Sequence, residues 1–100
     1  MNNYEITFLP SALVDFDAIF NYVKNEDINA AKNLIDALET EIEKLSSFPQ
    51  MGSIPKNRRI RKSGYRMLIV ENYIVFYLLE NNEVIVARII HAKRKYTSLI

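Results

Sequence analysis

Two clusters of polar side chains in the last half of the chain carry the residue types that act on phosphates. The first is "KNRRIRKSGYR", with Lys56, Arg58, Arg59, Arg61, Lys62 and Arg66 as six cations in eleven residues. The second is "HAKRKY", which sets His91, Lys93, Arg94, Lys95 and Tyr96 side by side. Arg and Lys beside Tyr can hold a polyphosphate backbone and stack a base. The same types also suffice for RNA cleavage without a metal. Attack by a 2′-hydroxyl needs a proton acceptor, cations for the negative phosphorane and a donor to the leaving oxygen, and His, Tyr, Lys and Arg can fill these roles. Composition permits this chemistry and does not require it. A lone His at a strand end also reads as a surface or hydrogen-bonded residue.

Other chemistries have little support. There is no cysteine, so no disulfide framework, thiolate metal site or thiol nucleophile is available. A single His rules out a site with two or more histidine ligands, and the carboxylates lie on polar helix faces rather than at metal-ligand spacing. Gly52 and Gly64 stand alone and cannot form a phosphate-cradling loop. We therefore expect no cofactor and no metal.

The charge is divided along the chain. The formal net charge is +1, yet residues 1–48 carry a net −6 and residues 49–100 a net +7. Such asymmetry points to a polyanion or an acidic partner for the basic part. The start, "MNNYEITFLP", shows no basic region followed by an apolar run, and no apolar stretch nears the ~20 residues that span a bilayer. A soluble cytoplasmic protein is expected, with residues 1–100 forming one domain.

The elements that position these residues follow from periodicity. Tyr4–Phe8 alternates as a short strand ended by Pro10. Ala12, Phe16, Ile19, Phe20 and Val23 then recur at helical spacing, with Ser11 as the expected cap and Asp15 and Asp17 in the early turns near the positive helix end. Ala31, Leu34, Ile35, Leu38, Ile42 and Leu45 mark a second helix, closed by "SSFPQMG". Arg59–Lys62 and Tyr65–Val70 read as one strand interrupted at Ser63-Gly64. Tyr73–Leu79 reads as a central strand and Val84–Ile90 as the last. Glu71-Asn72 and Asn81-Asn82 read as two-residue turns, because Asn tolerates the left-handed conformation. In the last strand, alternation places Val84, Val86, Arg88 and Ile90 on one face and Ile85, Ala87, Ile89 and His91 on the other. Arg88 then needs solvent, a ligand or a partner such as Glu71 or Glu80. The fold class is α+β, ordered β-α-α-β-β-β, with an antiparallel sheet and a helical hairpin packed on one face.

Four segments, "SALVDFDAIFNYV", "AAKNLIDALETEIEKLSSFPQMG", "GYRMLIVENYIVFY" and "VARIIHAKRKYTSLI", resemble in order those of the RelE/ParE superfamily, the toxins of bacterial type II toxin–antitoxin systems and their plasmid stabilisation relatives. The resemblance implies a growth-inhibiting toxin neutralised by a cognate antitoxin. Its RelE-like branch cleaves mRNA on the ribosome; its ParE-like branch inhibits DNA gyrase. In the nuclease case Arg61, Arg66, Arg88 and Arg94 would stabilise the phosphorane while His91 or Tyr96 moves protons. In the gyrase case Lys56, Arg58, Arg59, Lys62, Lys93 and Lys95 would belong to a target-binding surface. RelE-like nucleases carry an Arg in the hairpin strand where "NYIVFY" has Ile74, which favours the ParE-like branch. An inert interaction module is the third reading.

Overall fold

A computed structural model describes residues 3–100; Met1 and Asn2, the start of the segment read as lacking a secretory signal, lie outside the described residues. The chain runs β1 (Glu5–Phe8), α1 (Pro10–Lys24), α2 (Ile28–Glu43), α3 (Arg58–Lys62), β2 (Arg66–Val70), β3 (Tyr73–Glu80) and β4 (Glu83–His91), with single 3₁₀ turns at Lys44–Ser46 and Tyr96–Ser98. The strands form one sheet ordered β1-β4-β3-β2. Its antiparallel meander β2-β3-β4 is extended by β1, which pairs parallel to β4 from Glu5↔Glu83 to Phe8↔Val86. The sheet is therefore mixed, because α1 and α2 carry the chain away before the meander begins. β3 and β4 are interior strands, which explains their near-continuous apolar sequences.

The helices pack on one face as expected, with two local corrections. α1 starts at Pro10 rather than after a Ser11 cap. Proline suits the first turn, where its missing N–H is one that has no helical partner. The Ser11 hydroxyl instead donates to the Ala87 carbonyl at 2.7 Å. Asp15 likewise serves β4 and not the helix end. α2 has a side-chain cap, Asp27, whose carboxylate accepts from Asn29 and Ala30 N–H at 2.9 and 3.1 Å. Its Ala31, Leu38 and Ile42 are fully buried, while Lys32, Asp36, Glu39 and Glu43 stay in solvent. Leu38, Ile42, Leu45, Val75, Tyr77, Val84 and Val86 form the main core between helices and sheet.

The largest correction falls on Arg59–Lys62, which is helical rather than extended. Asn57 caps this turn by accepting from Ile60 N–H at 3.0 Å, and Arg and Lys are good helix formers. Ile60 is fully buried, so the apparent alternation around it came from one inward side chain. Gly64, at φ +87°, then reverses the chain into β2. With α3, the segment from Tyr96 to Ile100 covers a second core on the other sheet face, built on Ile60, Ile74, Phe76 and Ile90.

The two hairpin turns differ. Asn81 and Asn82 both take positive φ, 49° and 62°, as a tight I′-like turn requires. In the first turn Glu71, not Asn72, takes the positive φ of 53°. The "FPQMG" loop has a further constraint. The Tyr77 hydroxyl donates to Pro49 O at 2.8 Å and accepts from Gly52 N–H at 3.0 Å. A Cβ on Gly52 would lie 2.7 Å from that hydroxyl and 2.8 Å from Met67 O, so only glycine fits this approach.

Candidate functional site

A β-bulge in β4 decides where the expected site residues lie. The register is Phe76↔Arg88 and then Tyr77↔Val86, which leaves Ala87 as the extra residue. The simple alternation expected for β4 therefore fails across Ala87. Val84, Val86 and Ile89 all join the helix-side core, whereas Ile90 joins the second core. The bulge also moves the far end of the hairpin by one place. Counting back from the Asn81-Asn82 turn would set Tyr73 against Ile90, but it faces His91.

Arg88 has a partner, and it is Asp15 rather than Glu71 or Glu80. Its Nε and Nη2 donate to the two carboxylate oxygens at 2.7 and 3.1 Å, a bidentate pair, and Nη1 donates to Leu99 O at 3.0 Å. Asp15 also accepts from Ile89 N–H at 2.8 Å, so it closes the edge of β4 that the short β1 leaves open. The hydrogen bond with Asp15 raises the Arg88 pKa above its ordinary value, against the lowering effect of burial. Arg88 is thus a fixed structural cation.

The remaining candidates fall into separate groups. Lys56, Arg58, Arg59, Arg61 and Lys62 are all exposed on and before α3. Of these, Arg59 donates to Ile100 O at 2.8 Å and to Thr97 O, tying down the C-terminal segment. Arg61 donates to Lys56 O at 3.1 Å. Arg66 is half-buried; its Nη2 donates to Gln50 O and Gly52 O at 3.2 and 3.1 Å, holding the "FPQMG" loop together with its cross-strand partner Tyr77. Tyr96 packs its ring on Phe76, 5.3 Å between centroids, in the second core. Lys93, Arg94 and Lys95 are exposed.

His91 lies on the helix side. Its ring meets Tyr73 edge-on at 5.1 Å and 77°, and its Nδ1 accepts from Lys93 N–H at 3.1 Å. With Arg94, Tyr22, Tyr73 and Asp15 it lines a hollow of about 520 Å³ floored by Ile19 and Ile89. Burial first, and the neighbouring Tyr22 phenol second, push the Tyr73 hydroxyl above the ordinary phenol pKa. The structure thus brings His91 and Arg94 together and sets Tyr96 on the opposite face of the sheet, packed on Phe76. Ile74, the position read as an arginine in nucleases, is 4% exposed within the second core.

Asp15, Tyr22 and Tyr73 were not expected at this site. Asp15 and Arg88 are 73 positions apart, and nothing local to either residue signals the pair. Tyr73 is nearly legible from hairpin counting, and only the bulge hides it. A second hollow of about 590 Å³ opens between β1, α1 and α2, lined by Phe8, Phe16, Phe20 and Ile35 and rimmed by Asp17, Glu39 and Glu43. None of the expected cations lines it.

Comparison with known proteins bears on the fold and the family. No curated protein sequence matches the chain. Among solved structures, one described as a chromosomal ParDE toxin–antitoxin system from P. aeruginosa superposes with a TM-score of 0.74 at 18% identity, covering 90% of this chain and 97% of that one. At that identity the likeness establishes the fold. The model of the ParE toxin of the type II toxin–antitoxin system parDE matches residues 6–96, and the chain belongs to that family.

Proposed function

We propose that this toxin acts on DNA gyrase by binding, with no nuclease chemistry of its own, and that a cognate antitoxin neutralises it in the cytoplasm. The observation that carries this reading is the dispersal of the groups that metal-free RNA cleavage would need. His91 and Arg94 are on the helix side, Tyr96 packs into the second core, and Arg88 is engaged by Asp15 and Leu99 O. A phosphorane needs its acid, base and cations within hydrogen-bond reach of one phosphate. Burial of Ile74 supports the same conclusion, since an apolar side chain closes the position where that branch places a cation. Among the described residues no helix is long and apolar enough to cross a membrane, which suits a target in the cytoplasm.

Under this reading the exposed cations Lys56, Arg58, Lys62, Lys93 and Lys95 are docking groups whose contribution falls with salt. The test adds purified toxin to two reconstituted systems. Gyrase supercoiling is expected to fall, while mRNA on programmed ribosomes stays intact. Codon-specific cuts in the mRNA with unchanged supercoiling would replace this proposal with the ribosome-dependent endoribonuclease. No effect of folded toxin in either system would leave the inert interaction module.

A further inference from the structure

The hollow beside His91 combines three features that target docking by charge alone does not explain. First, three aromatic residues line it. Tyr73 is 9% exposed and supports the His91 ring edge-on, which fixes that ring, while Tyr22 on α1 is 72% exposed. Second, the mouth is cationic. Arg94 lines it, and the exposed Lys93 and Lys95 flank it in sequence. The only carboxylate in the lining is Asp15, already satisfied by Arg88 and by Ile89 N–H, so it offers little free charge to repel an anion. Third, the edge of β4 ends here. Ile89 N–H points outward to Asp15, so strand alternation turns His91 N–H to the same open edge.

We propose that this hollow is a single-stranded nucleic-acid site. One unpaired base lies against the Tyr22 and His91 rings, and Arg94 with its neighbouring lysines holds the flanking phosphates. A volume of about 520 Å³ suits one base and its sugar, and a base presents its flat face only when it is unstacked and unpaired. Beyond Val86, where β1 ends, α1 already takes Ala87 O through Ser11 and Ile89 N–H through Asp15, which blocks addition of a partner strand along β4. Flat rings with a run of cations therefore favour a base and its phosphates over an extended acidic peptide. The inference deepens the gyrase reading and rests on it for where such a strand would be met, as an enzyme that opens DNA exposes one.

The test is fluorescence anisotropy of the whole chain with a labelled oligothymidylate of about a dozen nucleotides, the matching oligouridylate and a duplex of the same length. Tighter binding of single strands than of the duplex is expected. Tyr22→Ala should weaken that binding about 5- to 150-fold, as loss of one base–aromatic stack does, while Tyr22→Phe retains it. Arg94→Ala should reduce the salt slope by about 0.7. Preference for either oligonucleotide supports the site and names its source as DNA or RNA. Equal binding of duplex and single strand overturns the proposal, as does wild-type affinity in Tyr22→Ala. So does binding of an acidic, aromatic peptide that Tyr22→Ala abolishes, with no oligonucleotide bound. Gyrase inhibition by the same variants is measured separately, so failure of one reading is distinguishable from failure of the other.

Discussion

The two faces of the sheet are built by different means. The helix face is closed by α1 and α2, whose apolar sides were set by helical period, and its core includes Leu38, Leu45, Val75, Tyr77, Val84 and Val86 without exposure. Among the described residues, the other face has a five-residue helix and the C-terminal segment to cover it, and its buried centre is four residues. Arginine side chains secure what apolar area cannot: Arg59 holds the carbonyls of Thr97 and Ile100, and Arg88 holds that of Leu99. A basic composition thus contains cations of two kinds. Some are structural ties, and the rest are free for a partner. Charge counts alone cannot separate them, because the distinction lies in which carbonyl or carboxylate each guanidinium reaches.

The largest expected effect contrasts the cores directly. Leu38→Ala, at a fully buried position on the helix face, should cost about 2–5 kcal/mol in urea unfolding, more than Leu99→Ala on the half-covered second face. Comparable losses would mean that the second face is as tightly closed as the first. Next comes the ion pair joining the two regions. Asp15→Ala should lose about 2–3 kcal/mol, below the full cost for a wholly buried pair because Arg88 and Asp15 retain 24% and 12% side-chain exposure. Asp15→Ala combined with Arg88→Met should recover part of it, since no unpaired cation remains. A double variant no better than the single one would show that Arg88 matters for Leu99 rather than for Asp15.

Arg59→Ala should change global stability by less than about 1 kcal/mol. It should nonetheless speed amide exchange in residues 96–100 selectively, as expected when a small peripheral unit opens by itself. Uniform protection across that segment would remove its role as a tie. The smallest effect concerns Ile69, which is 64% exposed on β2 where the second-face cover stops. Ile69→Lys should leave the unfolding midpoint within about 0.5 kcal/mol of wild type. A larger loss would reveal that this edge is covered in solution.

Much of the architecture was legible because it rests on local period. The α1 and α2 faces, the Asn81-Asn82 turn and the β2-β3-β4 meander all follow from spacing within a few residues. α3 was missed because one buried apolar residue among cations mimics strand alternation, and a helix of five residues is too short to show a period. The site was less legible than the fold. Its cations and His91 stood out by type, but their grouping depended on the Ala87 bulge and on α1 crossing the open end of β4.

By itself the sequence determined the element order apart from α3, the apolar faces, the polarity of charge and the likeness to the toxin superfamily. These properties reside in residue types and short-range spacing, which survive without knowledge of what touches what. Only the tertiary structure decided that Arg88 belongs to Asp15, that Tyr96 lies across the sheet from His91, and that Tyr22 and Tyr73 stand beside His91. Arg88 and Asp15, like Tyr22 and His91, are far apart in the chain, Tyr96 is turned away from His91 within one short segment, and one inserted residue in β4 inverts every facing beyond it.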